Sequence, residues 1–126
     1  MPTADNDPLT QKIIGFAIEV HRQLGPGLLE SAYEECLCLE FRQQNLEHKR
    51  QFALPITYKG IALDAAYRVD LIIADRLLVE LKTVERTLPV HEAQILTYMR
   101  LSGMPVGLLL NFNVALLPQG LKRIVL

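Results

Sequence analysis

The sequence has few of the residues from which disulfide-bonded or metal-clustered domains are built. Its 126 residues include no tryptophan, two cysteines and three histidines. Cys36 and Cys38 lie in a helical pattern, where a separation of two residues turns the side chains by about 200° around the axis, so they cannot form a disulfide with each other. Neither has a second Cys pair or a close set of histidines nearby, so a zinc or iron–sulfur pattern is missing. We interpret both as small core or surface residues.

An excess of basic residues and long apolar runs are also absent. Thirteen Lys and Arg stand against 14 Asp and Glu, for a net charge of −1. Proteins that bind DNA tightly usually carry a basic surplus that neutralises phosphates, so we expect this chain to bind nucleic acid weakly when alone. No apolar run approaches the roughly 20 residues that span a bilayer. Residues 1–7 contain neither a basic stretch nor an apolar one of the signal-peptide type. We expect a cytoplasmic protein that does not bind membranes.

The composition is that of a folded domain, since 50% of the residues are hydrophobic and 21% are charged. The length suits one domain with a single core. We expect residues 1–8 to be a disordered N-terminus and residues 9–126 to form that domain.

Apolar periodicity predicts a pair of helices at the start of the chain. The first covers 9–24, and Gly25-Pro26-Gly27 ends it, because Gly25 suits a left-handed cap and proline cannot continue a helix. The same segment could receive a phosphate ahead of the next helix, although an interhelical turn is the simpler interpretation. The second helix is predicted over 28–44. Its expected buried side chains are Leu29, Ala32, Tyr33, Cys36 and Leu37.

The rest of the chain alternates strands with one further helix. We predict strands at 52–58, 66–74 and 77–84, a helix at 87–101, and strands at 106–111 and 122–126. The strands at 66–74 and 77–84 are apolar on both faces, which is typical of central strands covered on both sides. Three consecutive strands followed by a crossover helix predict an α/β fold, with a mixed central sheet flanked by helices.

Three charged residues interrupt the two central strands. Asp70 lies in one strand, and Glu80 and Lys82 share a face of the next because they are two residues apart. Buried charges are tolerated when they are paired or bind a metal. One hypothesis is that Asp70, Glu80 and the Leu81 carbonyl bind Mg²⁺, while Lys82 orients or deprotonates a water or stabilises the developing charge. The alternative is a buried salt bridge, although such pairs contribute little net stability.

The register of the predicted hairpin tests this hypothesis. A two-residue turn at Asp75-Arg76 would place Asp70 opposite Leu81, and therefore on the wrong face. Asp70 can meet Glu80 or Lys82 only if the loop holds an odd number of residues or a bulge intervenes.

Polar side chains on two helices are candidates to complete the site. Gln94 and Tyr98 are four apart on one helical face, where they would serve the site or be an ordinary half-buried amide and a core tyrosine. Glu30 begins the second helix and would reach the metal, or simply favour the helix N-terminus. His91 is interpreted as a solvated or capping residue.

Several separate motifs resemble those of one protein family. The matching segments are Gly27-Leu28-Leu29-Glu30-Ser31-Ala32-Tyr33, Tyr67-Arg68-Val69-Asp70, Val79-Glu80-Leu81-Lys82, His91-Glu92-Ala93-Gln94 with Tyr98, and Leu108–Phe112 followed by Asn113. The first is similar to the GxxExxY motif that names a family of small bacterial and archaeal proteins, placed in the PD-(D/E)XK nuclease superfamily. The order of Asp, Glu-x-Lys and Gln-x-x-x-Tyr also resembles RecB-type nuclease domains. The resemblance extends from about residue 13 to residue 126.

This resemblance implies a restriction-endonuclease-like PD-(D/E)XK core behind the N-terminal helical pair, with Mg²⁺ or Mn²⁺ as cofactor. It implies hydrolysis of phosphodiester bonds in DNA or RNA. The implied roles are metal ligands for Asp70, Glu80 and Glu30, catalysis for Lys82 and Gln94, and support for Tyr33 and Tyr98. RecB-type domains often carry a histidine where this chain has Glu30.

Two functions follow from these observations. The chain is either a metal-dependent nuclease, or a non-catalytic nuclease-fold adaptor that binds nucleic acid or protein. In the first case a protein partner or a homo-oligomer would provide the affinity for nucleic acid that a chain of net charge −1 does not provide alone.

Overall fold

The structure, a computed structural model, describes residues 7–126. In chain order its elements are α1 (Pro8–Leu24), α2 (Glu30–Gln43), β1 (His48–Tyr58), β2 (Ile61–Ile73), β3 (Leu77–Lys82), α3 (Pro89–Ser102), β4 (Val106–Asn111) and β5 (Leu121–Val125). A short 3₁₀ turn at Leu117–Gly120 precedes β5. The predicted order of helices and strands is confirmed.

The first helix begins within the segment that was expected to be disordered. Asp7 is buried and caps α1 by accepting a hydrogen bond from the Leu9 N–H at 3.0 Å. It also forms an ion pair with Arg76, in the loop between β2 and β3. Pro8 takes the first helical position, where proline needs no N–H partner. The remaining part of that expectation, residues 1–6, lies outside the described residues.

The turn between α1 and α2 is built around a buried tyrosine. The Tyr33 hydroxyl donates to the Gly25 carbonyl at 2.6 Å and accepts from the Leu28 N–H at 3.2 Å. Gly25 and Gly27 have φ values of 71° and 97°, which favour glycine. The interhelical turn is therefore confirmed. The expected burial of Leu29 is wrong, since this residue precedes α2 as its N-cap and is 77% exposed.

The five strands form one sheet in the order β1-β2-β3-β4-β5. Neighbours are antiparallel except β3 and β4, which are parallel and are joined by the crossover helix α3. α1 and α2 pack on one face of the sheet and α3 on the other. β3 and β4 are buried almost throughout because helices cover both of their faces.

Two hairpins determine where the polar residues lie. β1 and β2 start four and five residues earlier than predicted and close through Lys59-Gly60, a two-residue turn with positive φ at both positions. The loop between β2 and β3 is 74–76, so it has the odd length that the acidic site requires. Within the part of the chain that is described, no helix has the length and apolar content to cross a membrane.

Candidate active site

Asp70 and Glu80 lie side by side where β2 and β3 separate. The backbones of the two strands pair from Leu71 opposite Val79 to Ile73 opposite Leu77. If this pairing is continued by one residue, Asp70 lies opposite Glu80. At this point hydrogen bonds to side chains take the place of those between the two backbones. The Asp70 N–H donates to Glu80 Oε1 at 2.9 Å, and the Leu81 N–H donates to Asp70 Oδ2 at 2.8 Å. The two carboxylates therefore occupy the gap between the diverging strands.

Both carboxyl groups are costly to ionise in this position. Glu80 is only 5% exposed, and burial followed by the charge of Asp70 raises its pKa to about 8, although the Asp70 N–H and Lys82 act in the opposite direction. Burial also raises the pKa of Asp70, against hydrogen bonds from the Leu81 N–H and Gln51. Two adjacent acids that repel each other in a largely buried site favour the uptake of a cation.

Lys82 follows on β3 and is half-buried. Its positive charge lowers the pKa of Glu30 and of Glu80, so it lies near both. Among residues 7–126, however, no carboxylate oxygen lies within 4 Å of its amino group. The arrangement therefore differs from the buried salt bridge that the sequence left as an alternative.

The chain after Lys82 is held by a buried amide. Asn111 on β4 lies opposite Lys82 in the parallel register. Its side chain accepts from the Val84 N–H at 3.1 Å and donates to the Val84 carbonyl at 2.9 Å. These bonds hold the chain in place just after β3 ends at Lys82.

Glu30 reaches the site from the start of α2. It lines a cavity of 110 Å³ with Ser31, Glu34, Gln51, Asp70 and Leu81. Burial and the charge of Asp70 raise the pKa of Glu30, while Lys82 and the Thr83 N–H lower it. The structure thus brings Glu30 together with the acidic pair.

A bridge between α2 and Asp70 was not predicted from the sequence. The Gln51 amide donates to Glu34 Oε1 at 2.8 Å and to Asp70 Oδ1 at 3.2 Å. Gln51 adopts φ 49°, a strained value for a residue other than glycine, and Arg50 pairs with Glu34 at 2.9 Å. The i, i+4 spacing of Glu30 and Glu34 places both on one helical face and was the available signal. Nothing in the sequence indicated Gln51.

Gln94 lies in a different place from the one expected. It lines a separate cavity of 240 Å³ on the α3 side of the sheet, together with Tyr67 and Tyr98. Tyr98 connects the two regions: it is 5% exposed, and burial followed by the charge of Glu80 raises its pKa. Gln94 and Tyr98 share a helical face as predicted, but Gln94 does not line the cavity of Asp70.

Two other expectations concern residues in structural positions. Tyr33 stacks on Phe112, with ring centroids 4.3 Å apart, and holds the α1–α2 turn rather than contacting the acidic pair. His91 is a capping residue, as interpreted, because its Nδ1 accepts the Leu88 N–H at 2.9 Å.

A family model described as the PD-(D/E)XK nuclease superfamily matches residues 7–124. The chain belongs to this superfamily. No curated protein and no solved structure gives a significant match to the chain. Its mixed sheet with helices on both faces is consistent with a PD-(D/E)XK nuclease fold.

Nucleases of the PD-(D/E)XK superfamily generally use divalent metals. Within residues 7–126, no group of three or more His, Cys, Asp or Glu side chains is arranged to hold an ion. Mg²⁺ does not need such a group, because it usually keeps several waters and takes one or two carboxylates together with substrate phosphate. The oxygen donors of Asp70 and Glu80, with Glu30 on the cavity wall, fit a hard divalent cation of this kind.

Proposed function

We propose that this protein is a Mg²⁺- or Mn²⁺-dependent nuclease that hydrolyses phosphodiester bonds in DNA or RNA. The observation that carries the proposal is the pairing of the Asp70 and Glu80 carboxylates at the point where β2 and β3 part. Membership of a nuclease superfamily supports the same chemistry.

Asp70 and Glu80 would hold the cation, with Glu30 as a further ligand, directly or through water. When bound, the cation supplies positive charge that polarises a phosphate and lowers the pKa of an attacking water. The Leu81 main-chain carbonyl is proposed as one further oxygen ligand of the cation. Gln51 and Arg50 hold Asp70 and Glu34 in place around it.

Lys82 is the proposed catalytic residue. Its ammonium group, free of ion pairs within residues 7–126, can orient the water whose oxygen forms the new bond to phosphorus. It can also stabilise negative charge that develops on the phosphate as the ester P–O bond breaks. The attacking water gives up a proton to solvent and the leaving oxygen takes one, so that hydrolysis of the ester bond balances. Gln94 and Tyr98 are proposed to act on the substrate from the α3 side.

Three finer assignments belong to the same proposal. We place the chain in the GxxExxY family, because Gly27, Glu30 and Tyr33 keep that spacing and Tyr33 holds the turn that the glycines form. We place it in the cytoplasm. We also propose that a protein partner or a second copy strengthens binding of nucleic acid, since the net charge is −1.

The test is a panel of labelled single-stranded, duplex and branched DNA and RNA, incubated with Mn²⁺ or with EDTA. Wild-type protein should cleave at least one substrate in Mn²⁺ and none in EDTA, and Glu80→Gln should be inactive. Cleavage by Glu80→Gln, or cleavage that persists in EDTA, would indicate a contaminating nuclease and contradict the proposal.

The alternative is a nuclease-fold adaptor that binds without cutting. The net charge and the position of Gln94 away from the Asp70 cavity favour it. An adaptor would show no metal-dependent cleavage of any substrate in the panel.

A further inference from the structure

The cavity on the α3 side has features that the acidic site does not use. Tyr67, on β2, lies three residues before Asp70 and presents an exposed ring to this cavity. The Tyr98 ring lies beside it, with centroids 5.1 Å apart and planes tilted by 46°. The 63% exposed side chain of Val90 adds an apolar wall.

Three polar side chains around the same cavity have no protein hydrogen-bond partner among the described residues. The Gln94 amide and the hydroxyls of Tyr67 and Tyr98 make no hydrogen bond within residues 7–126. Gln94 and its neighbour Thr97 differ in this respect, because the Thr97 hydroxyl donates to the Ala93 carbonyl. A small apolar cavity with a few free polar groups is the usual form of a ligand site.

We propose that the Tyr67–Gln94–Tyr98 cavity binds one unpaired nucleobase of the nucleic acid strand that is cleaved at Asp70 and Glu80. This inference rests on the proposed function. The Tyr67 ring offers a face for stacking, and the Gln94 amide offers both a donor and an acceptor to the base edge. The cavity volume of 240 Å³ is below the about 300–1,000 Å³ of sites for drug-sized ligands, so it suits a single ring system.

The proposal names the substrate class as strands with unpaired bases. A base inside a duplex must first leave its stack to enter such a cavity, whereas a base in a single strand or an overhang is already free. Stacking also explains how a chain of net charge −1 could bind nucleic acid, since it needs few phosphate contacts.

The experiment measures fluorescence anisotropy of labelled oligonucleotides with the 126-residue protein in EDTA, which prevents cleavage. The probes are single-stranded DNA, single-stranded RNA, a blunt duplex, and a single strand of the same length made of abasic sites. Wild-type protein should bind the DNA or RNA single strand about tenfold more tightly than the duplex or the abasic strand. The DNA and RNA probes distinguish the two sources of the base.

Variants assign the binding to the cavity. Tyr67→Leu should weaken single-strand binding about tenfold, while Tyr67→Phe, which keeps the ring, should retain it. Tyr58→Leu is the matched control, because Tyr58 is an exposed tyrosine beside the turn of the same hairpin. Gln94→Ala should reduce the preference among bases more than the affinity for a mixed sequence.

Several results would overturn the proposal. Equal affinity for normal and abasic strands, or unchanged binding by Tyr67→Leu, would exclude the cavity as a base site even if the protein cleaves with Mn²⁺, and the nuclease proposal would stand. An equal loss in Tyr58→Leu would also exclude it. Failure of wild-type protein both to bind and to cleave any probe would reject the base site and the nuclease together.

Discussion

The backbone N–H of Asp70 donates to a carboxylate oxygen of Glu80 at 2.9 Å, in the place where a strand-to-strand hydrogen bond would otherwise form. The Leu81 N–H donates in turn to an Asp70 carboxylate oxygen at 2.8 Å. The two carboxylates therefore accept hydrogen bonds from backbone N–H groups that lose their strand partners where β2 and β3 separate. The opening between β2 and β3 and the acidic pair are thus one feature. Metal binding, protonation and catalysis should all depend on it.

A divalent cation should raise the melting temperature of the protein through Asp70 and Glu80. Mn²⁺ at about 100 times its dissociation constant would add about 2.7 kcal/mol to the free energy of unfolding, because it binds only the native state. Asp70→Asn should remove most of this response. Thermal unfolding followed across a Mn²⁺ titration measures it.

The control for that titration is Asp64→Asn, which alters an exposed acid on the same strand. It should respond to Mn²⁺ as wild type does. A melting temperature that does not change with Mn²⁺ in wild-type protein would argue strongly against a metal site.

In EDTA, stability should fall as the pH rises from about 5 to about 8. The native pKa of Glu80 is raised from 4.5 to about 8, so over this range the native state holds a proton that the unfolded state has lost. Each unit by which the native pKa exceeds the unfolded pKa corresponds to a loss of about 1.4 kcal/mol in the free energy of unfolding once the pH has risen above both values. Glu80→Gln cannot ionise at this position, and its denaturant midpoint should vary less with pH. A wild-type midpoint that rises over this interval would contradict the assignment.

Gln51 should act as a positioning residue for Asp70. Gln51→Leu removes the amide that bridges Glu34 and Asp70, and loss of such an outer contact typically lowers metal affinity or activity about 10- to 100-fold. We expect weaker Mn²⁺ binding in the thermal titration, with activity partly restored at high Mn²⁺. Gln43→Leu, at the exposed end of α2, is the control. Equal Mn²⁺ affinities in wild type and Gln51→Leu would show that the bridge has no functional role.

Gly120 should tolerate a side chain much less well than Gly107. A Cβ at Gly120 would overlap the backbone carbonyl of Asn111, whereas one at Gly107 would meet the flexible end of Met99. Gly120→Ala should therefore destabilise the protein by about 3 kcal/mol and Gly107→Ala by about 1 kcal/mol. Urea denaturation compares them, and the reverse ranking would be inconsistent with this packing around β4.

Much of the fold could be predicted from local sequence patterns, because apolar periodicity and Gly or Pro breaks mark helices and strands. The requirement that Asp70 share a face with Glu80 even anticipated an odd loop, and the loop has three residues. The sequence could not place Gln94, since α3 packs on the sheet face opposite α2. The sequence could not indicate Gln51 either, because its contact with Asp70 and Glu34 depends on a positive φ and on the packing of β1 beside α2.

The most direct test of the account is the rate of metal-dependent cleavage by Lys82→Ala, measured beside wild type and Lys12→Ala. Lys12 is an exposed lysine on α1 and serves as the charge-matched control. At high enzyme concentration with Mn²⁺, wild type and Lys12→Ala should cleave at similar rates. Lys82→Ala should lose turnover by orders of magnitude while its affinity for the labelled strand stays within about twofold. Undiminished cleavage by Lys82→Ala would contradict the catalytic assignment.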